Sequence, residues 1–181
     1  MRLVFVDAGD GAPGLAEMAA LAGALRGLSP GQLLASPAVI ASGAAAALGR
    51  ELGLDAVAEA ALADADFGPM ADKASEKAVA KIKAEWLDGD LSSGIDGAET
   101  GLDVVDRLNR LLKRLRGEIG EAETAILLGH GVALRTALPR LLTGLSTTIA
   151  QVGLGTGDLV IAELVNRRFV AQRWGRVEID G

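Results

Sequence analysis

Only a few side chains in this sequence have the chemistry of a catalytic or ligand-binding group, and each lies near the end of an apolar stretch. His130, the single histidine, lies in Leu128-Gly129-His130-Gly131. Asp7 ends the apolar run that begins at Leu3, and Asp64 comes shortly before a Phe-Gly pair. An imidazole beside a carboxylate can act as a general base or as a pH-sensitive cation. We therefore take His130, Asp7 and Asp64 as the candidate catalytic residues.

Each of these residues also has a structural interpretation. A lone histidine after a buried strand is often a hydrogen-bonded structural residue, and Asp64 can be a solvated loop acid. Asp7 can be an acid at the sheet edge, can accept hydrogen bonds from amides of its own turn, or can form a charge pair with His130. The three residues have the ligand types of a metal site. Their spacing gives that site no support, so we predict no metal.

Composition and pattern argue against several classes of function. The chain has no cysteine, which excludes disulfides, thiolate chemistry and cysteine-bound zinc. The net charge of −6 argues against nucleic acids and anionic membranes as partners. Residues 9–14 fit the Gly-x-Gly-x-x-Gly dinucleotide pattern. However, no acid follows the second predicted strand and Pro13 removes an amide, so we expect no nucleotide cofactor.

The sequence also predicts a cytoplasmic protein without a membrane partner. Asp7 and Asp10 interrupt the first apolar stretch before it reaches the length that a signal peptide needs. No apolar run reaches the roughly 18 uncharged residues of a membrane helix. The lack of cysteine fits a reducing compartment.

The apolar pattern places the candidate residues at the ends of strands. Strands are predicted over 3–6, 32–35 and 125–129, and helices over 13–26, 37–52, 71–86, 100–116 and 132–142. In the helix over 100–116 we expect the i,i+4 pairs Asp103–Arg107 and Asp106–Arg110. Residues 147–154, 158–165 and 169–174 alternate like strands of an antiparallel meander at a sheet edge. This order predicts an α/β fold, in which helices flank a mixed, mostly parallel central sheet in three layers.

The domain organisation is predicted to be simple. A chain of 181 residues, half of them hydrophobic, can form one domain over 1–181 with a sizeable core. Residues 67–98 combine one helical segment with a loop rich in glycine and serine. We interpret this stretch as a helical insertion that could partly cover the edge of the sheet.

The ordered set of motifs resembles the histidine phosphatase superfamily, which is also called the phosphoglycerate mutase-like fold. The family opens with a strand that ends in Arg-His-Gly, continues with Ser-Pro, two residues and Arg, and later has a strand that ends in His-Gly. Between them lie an acid shortly before a Phe-Gly pair and a helix start similar to Gly-Glu-Ser/Thr. The matching pieces cover about residues 2–143 and are Asp7-Ala8-Gly9, Ser36-Pro37-Ala38-Val39-Ile40, Asp64-Ala65-Asp66-Phe67-Gly68, Gly97-Ala98-Glu99-Thr100 and Leu128-Gly129-His130-Gly131.

The chain departs from the family pattern at the positions that carry the family's catalytic and phosphate-binding side chains. The resemblance implies a nucleophilic histidine where this chain has Ala8, and a phosphate-binding arginine where it has Asp7. The second phosphate-binding arginine of the family corresponds to Ile40. The standard phosphohistidine mechanism is therefore expected to be absent.

Other positions have the residue types that the family pattern requires or could supply a related contact. The resemblance places the second family histidine at His130 and the family acid at Asp64, and it implies ligand contacts at Gly9 and Ser36, with Ile40 at the site of the lost arginine. Arg135, about one turn past His130, could supply a single positive charge.

Two functions follow as hypotheses. The first is a degenerate histidine-phosphatase-like protein, a pseudoenzyme that binds an unknown small molecule or protein, or acts as a scaffold. The second is an enzyme with altered chemistry, in which His130 works with Asp7 or Asp64 on a neutral or cationic small molecule. A conventional phosphatase is the third and least favoured. The acidic surface and the sheet edge allow a homodimer.

Overall fold

A computed structural model describes residues 1–9, 15–41, 43–68, 76–120 and 123–179. In these parts of the chain, seven strands form one sheet. The strands are β1 (Arg2–Asp7), β2 (Pro30–Ala35), β3 (Ala56–Ala58), β4 (Thr124–Gly129), β5 (Leu159–Val165), β6 (Arg168–Trp174) and β7 (Val177–Glu178). Their order across the sheet is β3-β2-β4-β1-β5-β6-β7.

The sheet is parallel on one side of β1 and antiparallel on the other. β1 pairs parallel with β4, β4 with β2, and β2 with β3. β1 pairs antiparallel with β5, which continues through β6 to β7 as a meander. The central strands are nearly continuous apolar runs because both of their faces are covered.

Helices lie on both faces of the sheet. They are α1 (Leu15–Arg26), α2 (Pro37–Ala41), α3 (Ala44–Leu52), α4 (Glu76–Asp88), α5 (Gly101–Glu118) and α6 (Gly131–Leu141). Side chains of α1 and α3 share one buried cluster with Val4 and Val6 of β1. Side chains of α4, α5 and α6 share the other with Leu3 and Phe5. The α/β fold with a mixed central sheet flanked by helices is therefore confirmed.

Two predicted elements differ from the structure. The helix predicted over 37–52 is divided into α2 and α3, because Gly43 takes a left-handed φ of 79° that ends one helix and begins the next. The strand predicted over 147–154 is wrong, since Thr147–Gln151 forms a 3₁₀ helix. This short helix packs on α4 and α6 and buries Ala150, so it lies against helices and not beside a strand.

The ion pair expected between Asp103 and Arg107 does not form. The Asp103 carboxylate instead accepts hydrogen bonds from the backbone N–H and the hydroxyl of Thr100, which completes a capping box at the start of α5. These bonds lower the pKa of Asp103. Arg107 turns to Glu99, with Nε 2.8 Å from Oε1.

The segment predicted as an insertion is anchored in the core. Trp86 of α4 is fully buried in the same cluster as α5 and α6. Its ring stacks on Phe67 with centroids 5.3 Å apart, and its Nε1 donates to the carbonyl of Ser93. Residues 69–75 of the predicted insertion lie outside the described part of the chain. No helix among the described residues has the length and apolar character to cross a membrane.

Candidate functional site

Three neighbouring strands bring the predicted site residues to one edge of the sheet. β1, β4 and β2 run parallel and end at Asp7, Gly129 and Ala35. Backbone hydrogen bonds continue past the strand ends, because Ala8 N donates to Gly129 O at 2.9 Å and Ser36 N donates to Leu128 O at 2.9 Å. This carboxyl edge is where open α/β sheets place ligands.

Asp7 and Ala8 face opposite sides of the sheet at this edge, since successive side chains alternate along an extended chain. Ala8 is 2% exposed and packs in the cluster that also holds Val6 and Leu128. Asp7 is 4% exposed. The two positions that open the family motif therefore belong to different surroundings.

The Asp7 carboxylate is held by its own turn. Gly9 N donates to Asp7 Oδ1 at 2.8 Å, which is the contact expected of a turn aspartate. On the other side the carboxylate lies against the first residue of α6, where a Cβ added to Gly131 would be 2.5 Å from Asp7 Oδ2. Gly9 itself has a left-handed φ of 72°, and a Cβ there would collide with Thr156.

Arg135 lies near Asp7 across a small cavity. Its Nε donates to the carbonyl of Ala150 at 2.8 Å. Burial lowers the pKa of Arg135, and the negative charge of Asp7 partly offsets that effect. The cavity has a volume of about 230 Å³ and is bounded by Asp7, Arg135, the start of α6 and residues 154–156.

His130 is held on a different contact. It is the N-cap residue of α6 and is buried. Its Nε2 shares a hydrogen bond of 3.0 Å with Ser36 Oγ. Ser36 is fully buried, and its Oγ also accepts from Ala38 N at 3.3 Å. The imidazole is thus tied to the start of α2 through Ser36.

Asp64 is fixed by its own loop. Its Oδ1 accepts from Ala65 N at 2.8 Å, and its carbonyl accepts from Arg107 Nη2 at 3.1 Å. No group of three or more His, Asp or Glu side chains in the described parts of the chain could hold a metal ion. Asp7, Asp64 and His130 are therefore not assembled as a metal centre there.

Ile40 lies in α2, and its side chain is outside the described part of the chain. Asp10, which follows the opening motif, also lies outside the described residues.

Comparison with known proteins agrees with this architecture. The family model of the histidine phosphatase superfamily, branch 1, matches residues 12–177. The chain belongs to the histidine phosphatase superfamily. No curated protein gives a significant match.

Solved structures of the superfamily fold cover almost all of the chain. A mycobacterial glucosyl-3-phosphoglycerate phosphatase in complex with VO3 is 20% identical, with a TM-score of 0.79 over 97% of this chain and 99% of that one. A histidine-to-alanine variant of phosphoserine phosphatase from Entamoeba histolytica, in complex with phosphoserine, is 15% identical, with a TM-score of 0.75 over 97% and 96%. The α-ribazole phosphatase from Shigella flexneri is 17% identical, with a TM-score of 0.74 over 100% and 99%. At these identities the likeness concerns the fold.

Sequence reasoning missed two features of this superfamily site. It did not find that Ser36 is the partner of His130, because the two residues are 94 positions apart. It did not assign Thr156 to the cavity wall, although Gly155 and Gly157 on either side of it are residues typical of a turn. That turn reaches β1 because β5 pairs with β1, and Gly157 N donates to Asp7 O at 2.7 Å.

Proposed function

We propose that this member of the superfamily carries out no phosphohistidine chemistry and binds a small molecule at the carboxyl edge of its sheet. The observation that carries the proposal is the placement of Asp7. Its buried carboxylate faces the same cavity of about 230 Å³ as Arg135, at the position where the resemblance implies a phosphate-binding arginine. The sign of the charge at that position is therefore reversed.

The charge reversal opposes a phosphate dianion. At 4 Å and an effective dielectric constant near 20, one contact between unit charges is worth roughly 4 kcal/mol. Exchanging an attractive contact for a repulsive one changes the binding free energy by more than that amount. Arg135 does not offset the change, since its charge is already balanced in part by Asp7 and its Nε is bonded to Ala150.

The missing nucleophile supports the same conclusion. Ala8 offers a methyl group that is packed in the core, and it cannot accept a phosphoryl group. The Entamoeba variant with alanine in place of a histidine was solved with phosphoserine, so that protein binds its ligand despite the substitution. By analogy, we expect Asp7 rather than Ala8 to be the residue that prevents anion binding.

The cavity suits a ligand that is neutral overall. Asp7 attracts a hydrogen-bond donor or a cation, whereas the guanidinium of Arg135 attracts an acceptor or an anion. Both groups border one small volume, so a compact molecule with a donor at one end and an acceptor at the other would satisfy both. We therefore propose small zwitterionic or polar neutral molecules as the ligand class.

The alternative of an enzyme that pairs His130 with Asp7 or Asp64 has less support. The Nε2 of His130 is bonded to Ser36, whose hydroxyl is fully buried, and the carboxylate of Asp64 is bonded within its own loop. A cytoplasmic location and a homodimer stay predictions.

A phosphatase assay tests the absence of phosphoryl transfer. We expect the wild-type protein and His130→Ala to hydrolyse p-nitrophenyl phosphate at the same background rate between mild acid and mild base. Turnover by the wild type that disappears in His130→Ala would contradict the proposal. The triple variant Asp7→Arg/Ala8→His/Ile40→Arg should gain activity if the remaining walls of the site are intact.

Binding at the edge is tested by amide NMR signals of Gly9 and Gly131. We expect glycine or serine, as zwitterionic probes, to shift these signals in the wild type but not in Arg135→Met, while vanadate leaves them unchanged. Asp7→Arg should reverse the preference and make them respond to vanadate. Wild-type signals that shift with vanadate and not with the zwitterions would refute the assignment of ligand class.

A further inference from the structure

A second cavity lies at the opposite end of the sheet and is lined by basic side chains. It has a volume of about 300 Å³ and lies between the final turns of α5 and α6 and the start of β6. Arg168 begins β6 opposite the end of β5, near the start of β1, since Arg2 pairs with Glu163. We call this cavity the basic hollow; its cations are Lys113, Arg116, Arg167 and Arg168.

The four cations of the basic hollow have no acidic partners among the described residues. Ion pairs do occur elsewhere on the surface, as in Arg2–Glu163 and Arg26–Glu51. None of the lining residues is acidic, although the whole chain has 24 acidic and 18 basic residues. A group of like charges in one hollow creates a local positive potential that attracts anions, even on a protein of negative net charge.

The turn that carries Arg167 is held in place by contacts within the chain. Asn166 and Arg167 form the two-residue turn between β5 and β6, with φ of 48° and 66°. Arg116 Nη1 donates to Arg167 O at 3.0 Å, which ties this turn to the last turn of α5. Arginine is an unfavourable choice at a left-handed turn position that commonly holds glycine. At this position it adds a cation to the cluster.

The charge of the basic hollow indicates the class of ligand. A phosphate monoester carries about −1.5 to −2 charges at neutral pH, so two such groups match four cations. The negative end of the α5 macrodipole is only about half a charge and does not cancel the cluster. Asn109 and Thr143 line the same cavity and can add hydrogen bonds to phosphate oxygens.

We propose that the basic hollow is a binding site for a small molecule with two phosphate groups, such as a diphosphate or a bisphosphate. The site is remote from the carboxyl edge and does not depend on the function proposed for that edge. It gives the protein a phosphate-recognition site outside the position at which the family resemblance places one.

Calorimetric titration with methylenediphosphonate tests this proposal on the full chain. This diphosphate analogue resists hydrolysis, so residual phosphatase activity cannot disturb the measurement. We expect saturable binding of one equivalent that weakens as salt is raised, and weaker binding of inorganic phosphate. The amide NMR signals of Thr143 and Arg167 should shift, whereas those of Gly9 and Gly131 should not.

Two double variants with reversed charges distinguish binding at a specific site from a general effect of the protein's net charge. Lys113→Glu/Arg168→Glu removes two cations of the basic hollow, and we expect affinity to fall at least about tenfold because two attractive contacts become repulsive. Lys77→Glu/Arg176→Glu makes the same change in net charge at exposed residues that do not line the hollow. This pair should leave the affinity within about twofold, since salt screens exposed charges that do not contact the ligand.

Three results would overturn the proposal. The first is the absence of saturable binding heat with millimolar methylenediphosphonate. The second is an equal loss of affinity in both double variants, and the third is a set of amide shifts confined to the carboxyl edge. The milder pair Lys113→Gln/Arg168→Gln should give an intermediate affinity, and it replaces the charge reversals if circular dichroism shows that these unfold the protein.

Discussion

The cavities at the two ends of the sheet differ in the charges that line them. At the carboxyl edge, Asp7 and Arg135 carry opposite charges beside one small volume, and each already stabilises the other. In the basic hollow, the charges have the same sign and lack acidic partners in the described chain. The electrostatic contribution to binding should therefore be small for a strongly charged ligand at the carboxyl edge. In the basic hollow it should be largest for a multiply charged anion.

The two cavities also differ in the elements that build them. The carboxyl edge consists of buried strand ends, where Asp7 and Ala8 are almost completely inaccessible. The four cations of the basic hollow are exposed residues near the end of α5 and at the β5–β6 turn. We expect substitutions at the edge to change the stability of the protein, and substitutions in the hollow to change ligand binding with small effects on stability.

The largest contrast should come from one substitution made in both regions. Gly131→Ala would place a Cβ 2.5 Å from the buried Asp7 carboxylate, which Gly9 holds from the other side. We expect this variant to lose about 1–3 kcal/mol of unfolding free energy, as overpacked sites do. Urea unfolding monitored by circular dichroism measures the loss.

Gly117→Ala is the matched control beside the basic hollow. Gly117 lies in α5 next to Arg116, and a Cβ there would meet nothing within 4 Å. Alanine should raise the unfolding free energy by about 0.5–1 kcal/mol because it restricts the unfolded chain and favours the helix. If both variants shifted stability in the same direction, the contrast in packing between the two regions would be wrong.

A smaller effect is expected for the coupling between Asp7 and Arg135. In a double-mutant cycle, Asp7→Asn keeps an oxygen for the Gly9 amide, and Arg135→Met keeps the apolar stem. Burial lowers the pKa of Arg135 and the charge of Asp7 raises it, so the two residues should be coupled. We expect a coupling free energy of about 1 kcal/mol, moderated by the partial exposure of the guanidinium.

Chemical unfolding of the four proteins of the cycle gives this coupling directly. Arg110→Met, at an exposed position of α5, is the control and should change stability by less than about 0.5 kcal/mol, alone or together with Asp7→Asn. Strictly additive effects of Asp7→Asn and Arg135→Met would mean that the carboxyl edge lacks the internal charge compensation described above.

The edge of the sheet could be predicted from the sequence because its signals are local. Residues 3–6 and the apolar residues of β4 are strand-like runs, the first followed by Asp7-Ala8-Gly9 and the second by His-Gly, and parallel strands end at one edge. The turn role of Asp7 was one of the predicted alternatives, and its carboxylate does accept the amide of Gly9. Local pattern was therefore sufficient for the frame of the candidate site.

Contacts between distant parts of the chain could not be predicted in the same way. His130 bonds to Ser36 only because β2 and β4 are neighbours in the sheet. The basic hollow joins Lys113 and Arg168, which belong to a helix and a strand more than 50 positions apart. In α5 the i,i+4 spacing led to a wrong prediction of an Asp103–Arg107 ion pair. Asp103 caps the helix instead, and Arg107 forms its ion pair with Glu99.

The smallest expected effect concerns the turn that borders the basic hollow. Arg167 has a φ of 66°, a conformation that glycine adopts without strain. Arg167→Gly should raise the unfolding free energy by about 0.5 kcal/mol, since the relief of strain slightly exceeds the added freedom of the unfolded chain. The same change removes a cation, so affinity for methylenediphosphonate should fall.

Ser29→Gly separates these two consequences. Ser29 has a φ of 49° but lies between α1 and β2, away from the basic hollow. Glycine there should raise stability by a similar amount and leave diphosphonate affinity unchanged. If Arg167→Gly raised stability without weakening binding, Arg167 would have no role in ligand binding. The hollow would then bind its anion through the other three cations or not at all. If it weakened binding as expected, the strained arginine would be explained by the ligand and not by the fold.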